Sequence, residues 1–313
     1  MSANVETMFY AGERGKPWHG LGVEVKEAQT SAEAIKVAGL DWVVDPKPMF
    51  LEDGTAIPNY VANTRSTDGK ILGVVTDKYK IVQNKDAFDF TDNLIGGDVR
   101  YETAGALLSG RVWLLARMPD KKILDDDFEN YVCFTNSHDG KGAIKVCVTN
   151  VRVVCNNTLN LALNTAKRCW STKHMGNMDA KLAEAQHTLK LNDEYMNAFA
   201  SDADRMAHTK FDVDEIEKVL NEMFPTTADL SERQVTNNRT TKEAIYYCYN
   251  MQDIAKYLGT QYGFINAVAD FADHGMPKRF TKNYAENNFE RVIDGHIILD
   301  KAYAISNELV SMR

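Results

Sequence analysis

Between residues 140 and 178 the chain carries Lys141, Lys145, Arg152, Lys167, Arg168 and Lys173, with His174 as a further titratable base, and no Asp or Glu. Neutral hydrogen-bonding groups are interleaved with them, among them Thr149, Asn150, Asn156, Asn157, Thr158, Ser171 and Thr172. Cations mixed with amides and hydroxyls suit a run of phosphates. Each group can donate to a phosphate oxygen, and the cations release counterions when they bind. Trp170 lies inside the basic run, where its ring could stack on a base. Trp113 is a second aromatic candidate, although its apolar surroundings suit a core strand better.

The charge arithmetic isolates this segment. It holds +6, the remaining residues hold −14, and the 313-residue chain totals −8. An acidic body around one basic stretch would repel polyanions everywhere except at that stretch. Two plainer readings compete: a solvated basic face set against the acidic remainder, or a subunit interface of opposite charges.

The elements that must position these residues change character along the chain. The first half reads as sheet, with short β-branched or aromatic runs at Trp42–Val44, Tyr60–Asn63, Ile71–Val75, Val112–Ala116, Tyr131–Phe134 and Ala143–Val148. Asp139-Gly140 between the last two runs predicts a hairpin turn. Two helices interrupt the strands, Ser31 to Leu40 with Ser31 as N-cap, and Asn84 to Leu94. From Asn156 the period becomes helical: a short helix starting near Asn157, a long one over Asp179–Arg205, then Val213–Phe224, Thr241–Leu258, Gln261–His274 and Asp294–Met312, with Thr226–Thr240 as a polar linker. The fold class expected is α+β, an antiparallel sheet-rich N-terminal half with a hairpin-to-helix core, and a helical C-terminal half. The expected units are residues 1–178 and 179–313. In that arrangement Asn156, Asn157 and Thr158 open a helix, whose N-terminal amides favour phosphate.

Other chemistries find little support. Neither a P-loop nor a Gly-x-Gly-x-x-Gly fingerprint occurs, so no nucleotide cofactor is expected. Cys147, Cys155, Cys169 and His174 lack the tight pair of a zinc site, so no metal is expected either. Five cysteines in a chain of this length suit reduced thiols. A Cys155 nucleophile with His138 and Asp139 has no local support, and Asp270 with Asp273-His274 reads as a solvated helix face. Trp18-His19-Gly20-Leu21-Gly22 lets backbone pass close to a neighbour, which makes His19 and Gly20, together with His138, a candidate ligand loop. No run of 18 apolar residues occurs, and Met1–Thr7 has no basic or apolar character, so neither a membrane span nor export is expected.

Four blocks resemble a known family: Pro17–Gly22, Tyr79-Lys80-Ile81-Val82-Gln83-Asn84, Asn136-Ser137-His138-Asp139-Gly140 and Val151-Arg152-Val153-Val154-Cys155-Asn156-Asn157-Thr158-Leu159. With Gly259-Thr260, Asn266-Ala267-Val268 and Asp273-His274 they look like the successive blocks of the phage/plasmid-like proteins grouped as domain of unknown function 932. Lys173-His174-Met175 departs from the expected Arg-His-Thr, and Ala269-Asp270-Phe271 from a Thr-containing run. The resemblance implies a mobile-element setting and the cytoplasm of a bacterial host. By analogy of architecture, the order of strands, hairpin and helix is similar to that of single-strand annealing recombinases. The expected function is therefore ATP-independent binding and annealing of single-stranded DNA by a homo-oligomeric ring or filament. Lys141, Lys145, Arg152, Lys167, Arg168 and Lys173 would contact phosphates, with Asn156, Asn157, Thr158, Trp170 and His174 beside them. The alternatives are a non-enzymatic counter-defence or regulatory protein that binds a host factor or a phosphorylated small ligand, and a nuclease using His19, His138 or Asp273.

Overall fold

A computed structural model describes residues 5–11, 22–25, 30–95, 100–152, 157–158, 161, 163, 168–185, 188–275 and 295–313. Its main sheet is built from β1 (Val5–Ala11), β2 (Val23–Val25), β6 (Arg100–Leu107), β7 (Arg111–Ile123), β8 (Asp126–Ser137), β9 (Ile144–Arg152), β10 (Asn157–Thr158) and β11 (Cys169–Thr172). The order is β10-β9-β8-β7-β6-β1-β2, with β11 also on β9. β1 and β2 pair in parallel and the other neighbours are antiparallel. Because β8 pairs with β9 along nearly its whole length, β10 and β11 share the other edge of β9. A second sheet holds β3 (Val44–Phe50), β4 (Ala56–Arg65) and β5 (Ile71–Thr76) in that order. Pro46 and Pro48 fall on its outer strand β3, where the missing N–H groups leave no gap in a central ladder.

Successive side chains of a strand point to opposite faces, so Phe128, Asn130, Val132 and Phe134 of β8 share one face. Helices α1 (Ser31–Val37) and α2 (Asn84–Ile95) cover the Val132–Phe134 end, where Ile35, Leu40, Phe88, Ile144 and Val146 complete a core. The C-terminal helices cover the Phe128 end. These are α3 (Met178–Ala185), α4 (Thr188–His208), α5 (Val213–Met223), α6 (Glu232–Tyr249), α7 (Gln261–His274) and α8 (Ile297–Ser311), with a 3-10 turn over Gln252–Tyr257. Phe199 of α4 meets Phe128 edge to face at 5.5 Å, and α7 buries Phe264, Ile265 and Val268. Asn130 and its register partner Asn150, both fully buried, lie between the two cores.

The α+β class stands, and the hairpin joining β8 to β9 forms around Asp139-Gly140 as its residues dictate. The segment after it differs from expectation. Asn157 and Thr158 do not open a helix; they pair with Arg152 and Val151, because the free edge of β9 offers backbone partners that an isolated helix start lacks. Among the described residues no helix follows β9 before Met178. The expected linker over 226–240 contains the start of α6, capped reciprocally by Ser231 and Gln234 despite its polar composition. The long helix over Asp179–Arg205 is two helices, and Thr30 rather than Ser31 caps α1. The thiols also differ: strand register sets Cys147 opposite Cys169, and the two form a disulfide.

Candidate functional site

A cleft of about 460 Å³ opens where β5 meets the β8–β9 hairpin and the chain leaving β11. Two glycines permit that meeting. A methyl on Gly73 would stand 2.4 Å from Cα of Asp139, so the β5 backbone can ride on the hairpin turn only without one. At Gly140 φ is +76°, a conformation L side chains rarely adopt, and an added Cβ would lie 2.7 Å from Cγ1 of Val75. The Asp139 carboxylate holds the turn by accepting from the Ser137 hydroxyl and from the amides of Lys141 (2.8 Å) and Gly142 (3.2 Å).

Behind the cleft lies a polar network. Tyr79 donates its hydroxyl to the Ser137 carbonyl at 2.6 Å and stacks on the His174 ring at 4.5 Å. Lys80 and His174 clasp each other: the Lys80 amide donates to the His174 carbonyl at 2.9 Å, and His174 Nδ1 donates to the Lys80 carbonyl at 3.0 Å. Deeper in, Asn84 donates to the Leu40 carbonyl at 2.9 Å, which turns its amide oxygen towards Nε2 of His138, also at 2.9 Å. Nε2 therefore carries the proton of a neutral imidazole. Asn63 donates to the His138 carbonyl and Asn136 to that of Val82. Burial, aided by the nearby His174, pushes the His138 pKa down to about 3. Burial also lowers His174, against the opposing hydrogen bond to Lys80. Both rings are neutral at pH 7, and the Tyr79 hydroxyl is held protonated by burial and by Asp139.

The basic segment divides in space. Lys141, Lys173 and His174 come together around the cleft, the two lysines exposed and His174 buried at its wall. Lys145 sits on β9 between Thr135 and Ser171, on the face away from the Ile144–Val146 core. Arg168 donates to the Val148 carbonyl at 2.8 Å and so ties down the start of β11. Trp170 is half-buried against the α1–α2 core, and Trp113, at 5% exposure, belongs to a small core with Met8, Tyr10 and Leu107. Arg152, Asn157 and Thr158 form the β9–β10 pairing. Asn156, Lys167, His19 and Gly20 lie outside the described residues. His138 belongs to the buried network rather than to an open ligand loop, since the Gly73 contact brings β5 down over its turn. Tyr60, Val74 and Tyr79 also line the cleft and were not anticipated; a glycine inside the apolar run Ile71–Val75 was the available signal of close backbone approach.

Two of the sequence blocks noted above, Tyr79–Asn84 and Asn136–Gly140, are thus joined to each other and to Lys173–Met175 by direct hydrogen bonds. A family model described as a domain of unknown function (DUF932) matches residues 71–292, well over half of the chain. The chain belongs to this family. No curated protein and no solved structure matches it. The DUF932 region includes all of the cleft except Tyr60, which β4 contributes from outside the matched residues. Among its described residues no group of three or more His, Cys, Asp or Glu side chains could hold a metal ion. No described helix of this DUF932 protein is long and apolar enough to cross a membrane.

Proposed function

We propose that this DUF932 protein binds single-stranded DNA through the cleft and promotes annealing of complementary strands without nucleotide hydrolysis, as a homo-oligomer in a phage or plasmid setting within a bacterial cell. The observation that carries the reading is the pairing of two exposed lysines, Lys141 and Lys173, with a 47%-exposed tyrosine, Tyr60, around one opening. Lysines and an aromatic ring that share one opening suit a phosphate–base–phosphate unit, and stacking tolerates any base. Val74 and Met175, both exposed, extend the apolar surface beside the ring. The acidic remainder of the chain keeps polyanions off other surfaces.

Fluorescence anisotropy with labelled oligo-dT tests the reading. Affinity should fall as salt rises, with a slope near −0.7 for each phosphate neutralised, and the double variant Lys141→Glu, Lys173→Glu should bind at least about tenfold more weakly. Binding that is indifferent to both would end the proposal. A second reading has its own support, because about 460 Å³ also fits a small phosphorylated ligand, as a regulatory or counter-defence protein would require. A thermal-shift comparison of mononucleotides with oligonucleotides separates the two, since the bound species stabilises the fold.

A further inference from the structure

Three cysteines stand abreast on adjacent strands. Cys133 of β8 is in register with Cys147 of β9, which is in register with Cys169 of β11 and bonded to it. β11 contributes only four residue pairs to the sheet, Cys169–Thr172 against Ile144–Cys147. Both bonded strands lead directly to the cleft. β9 begins just after the Lys141–Ala143 turn, and β11 ends just before Lys173 and His174. Beyond β11 the chain is held by the Lys80–His174 clasp and by Lys181, which donates to the Met175 carbonyl at 2.6 Å.

We infer that the Cys147–Cys169 disulfide is a redox latch on the cleft, fixing the strand that presents Lys173 beside the hairpin that presents Lys141. Once the bond is open, β11 rests on four residue pairs, the Arg168–Val148 hydrogen bonds, the packing of Trp170 and the Lys80 and Lys181 contacts, and the spacing of the two lysines is no longer fixed covalently. Its consequence for DNA rests on the proposed function; the latch itself does not.

The reductant is a small dithiol. Cys147 is fully buried and Cys169 half-buried, so attack falls on Cys169. A thiolate of the dithiol bonds to Sγ of Cys169, the protein S–S bond breaks, and its electron pair leaves on Sγ of Cys147, which takes up a proton. The second thiol of the reductant then displaces Cys169, which is protonated in turn. The protein gains two electrons and two protons, and the dithiol ends as a disulfide. Cys133 does not intercept this exchange at neutral pH, because burial pushes its thiol up to about 12 and thiolate is the attacking form.

The test uses the full chain in air-oxidised and dithiothreitol-reduced forms. Alkylation after denaturation should label two fewer of the five cysteines in the oxidised form. Hydrogen exchange should be about tenfold faster at the β11 amides after reduction, with β7 and β8 unchanged, because β11 loses its covalent tether. Oligo-dT affinity should drop about threefold, and Cys169→Ser should behave like the reduced protein with no further response to dithiothreitol. Labelling of all five cysteines in the oxidised form, or identical β11 exchange in both forms, overturns the latch. If reduction speeds β11 exchange while neither form binds oligonucleotide, the latch stands and the DNA reading falls.

Discussion

At its helical end the buried face of β8 presents Phe128 with Val148 of β9 nearby, whereas at the hairpin end it presents Asn136 and, just beyond the strand, His138. The first region is filled by Phe199, Phe264, Ile265 and other apolar side chains from the five helices α4 to α8, together with Phe211 between α4 and α5. The second packs Asn63, Asn84, His138 and His174 among its apolar residues, each with at least one hydrogen bond. Apolar side chains need only removal from water, so many substitutes of similar volume would serve. Buried amides and imidazoles stabilise a fold only while every partner is in place, and a well-packed apolar core would hold the same strands at less risk. The hydrogen bonds of the polar end hold the hairpin turn and His174 in place, and both border the cleft.

The largest expected effect lies at the apolar end. Phe199 is fully buried, stacks parallel to Tyr195 and meets Phe128 edge to face. Phe199→Ala should cost about 3–5 kcal/mol in urea unfolding, through lost burial and the cavity left behind. If the helical end only supports the fold, the molecules that remain folded should bind oligo-dT with unchanged affinity. A matching loss of affinity would erase the distinction between the two regions.

Asn84→Ala probes the polar end with a smaller expected cost, about 2–3 kcal/mol, because it leaves the His138 N–H and the Leu40 carbonyl unpaired in the interior. Here stability and binding should fall together, since His138 sits in the turn that presents Lys141. A stability loss without any change in affinity would show the network to be ordinary core.

Acid titration separates the two ends by a second route. The His138 pKa is about 3 in the fold against about 6.5 for a free imidazole, so below that upper value the unfolded chain binds a proton that the folded chain does not. Its contribution is complete above the unfolded pKa and is lost at up to about 1.4 kcal/mol per pH unit as pH falls through the window between them. His174, shifted in the same direction, adds to the slope. Urea unfolding at a series of pH values should show this slope, and His138→Asn should flatten it, whereas Phe199→Ala should shift the whole curve in parallel.

The same contrast explains what the sequence revealed. Local patterns sufficed for the helical end: Val213, Ile216, Val219, Leu220 and Met223 recur at spacings of three and four, and α5 covers Val213–Met223. The Asp139-Gly140 turn was equally local. β11 was missed because its partners lie on β9, across a segment whose composition reads as helical, and β6 because Tyr-Glu-Thr-Ala-Gly-Ala has no β-branched run. The basic cluster was visible as charge, yet its division was not. Whether a lysine reaches the cleft depends on walls contributed by Tyr60, Val74 and Tyr79, far earlier in the chain. His138 looked available because histidines in turns usually are; the approach of β5 to its turn, the Trp42 ring and Asn84 of α2, all distant in sequence, enclose it.

The smallest effect on stability should accompany the sharpest effect on binding. Tyr60 is half-exposed on β4 and makes no side-chain hydrogen bond among the described residues, so Tyr60→Ala should change folding free energy by about 0.5 kcal/mol or less. If a base stacks on its ring, the same change should weaken oligo-dT binding by about 1–3 kcal/mol, and Tyr60→Phe should restore it because stacking uses the ring face and not the hydroxyl. Tyr247 on α6 is the matched control, an exposed tyrosine in the helical half that lines a separate cavity with Asp270 and His274. Equal losses for Tyr60→Ala and Tyr247→Ala would mean that exposed aromatics bind the strand wherever they lie. A loss confined to Tyr60 would tie recognition to the surface that the polar core holds in place.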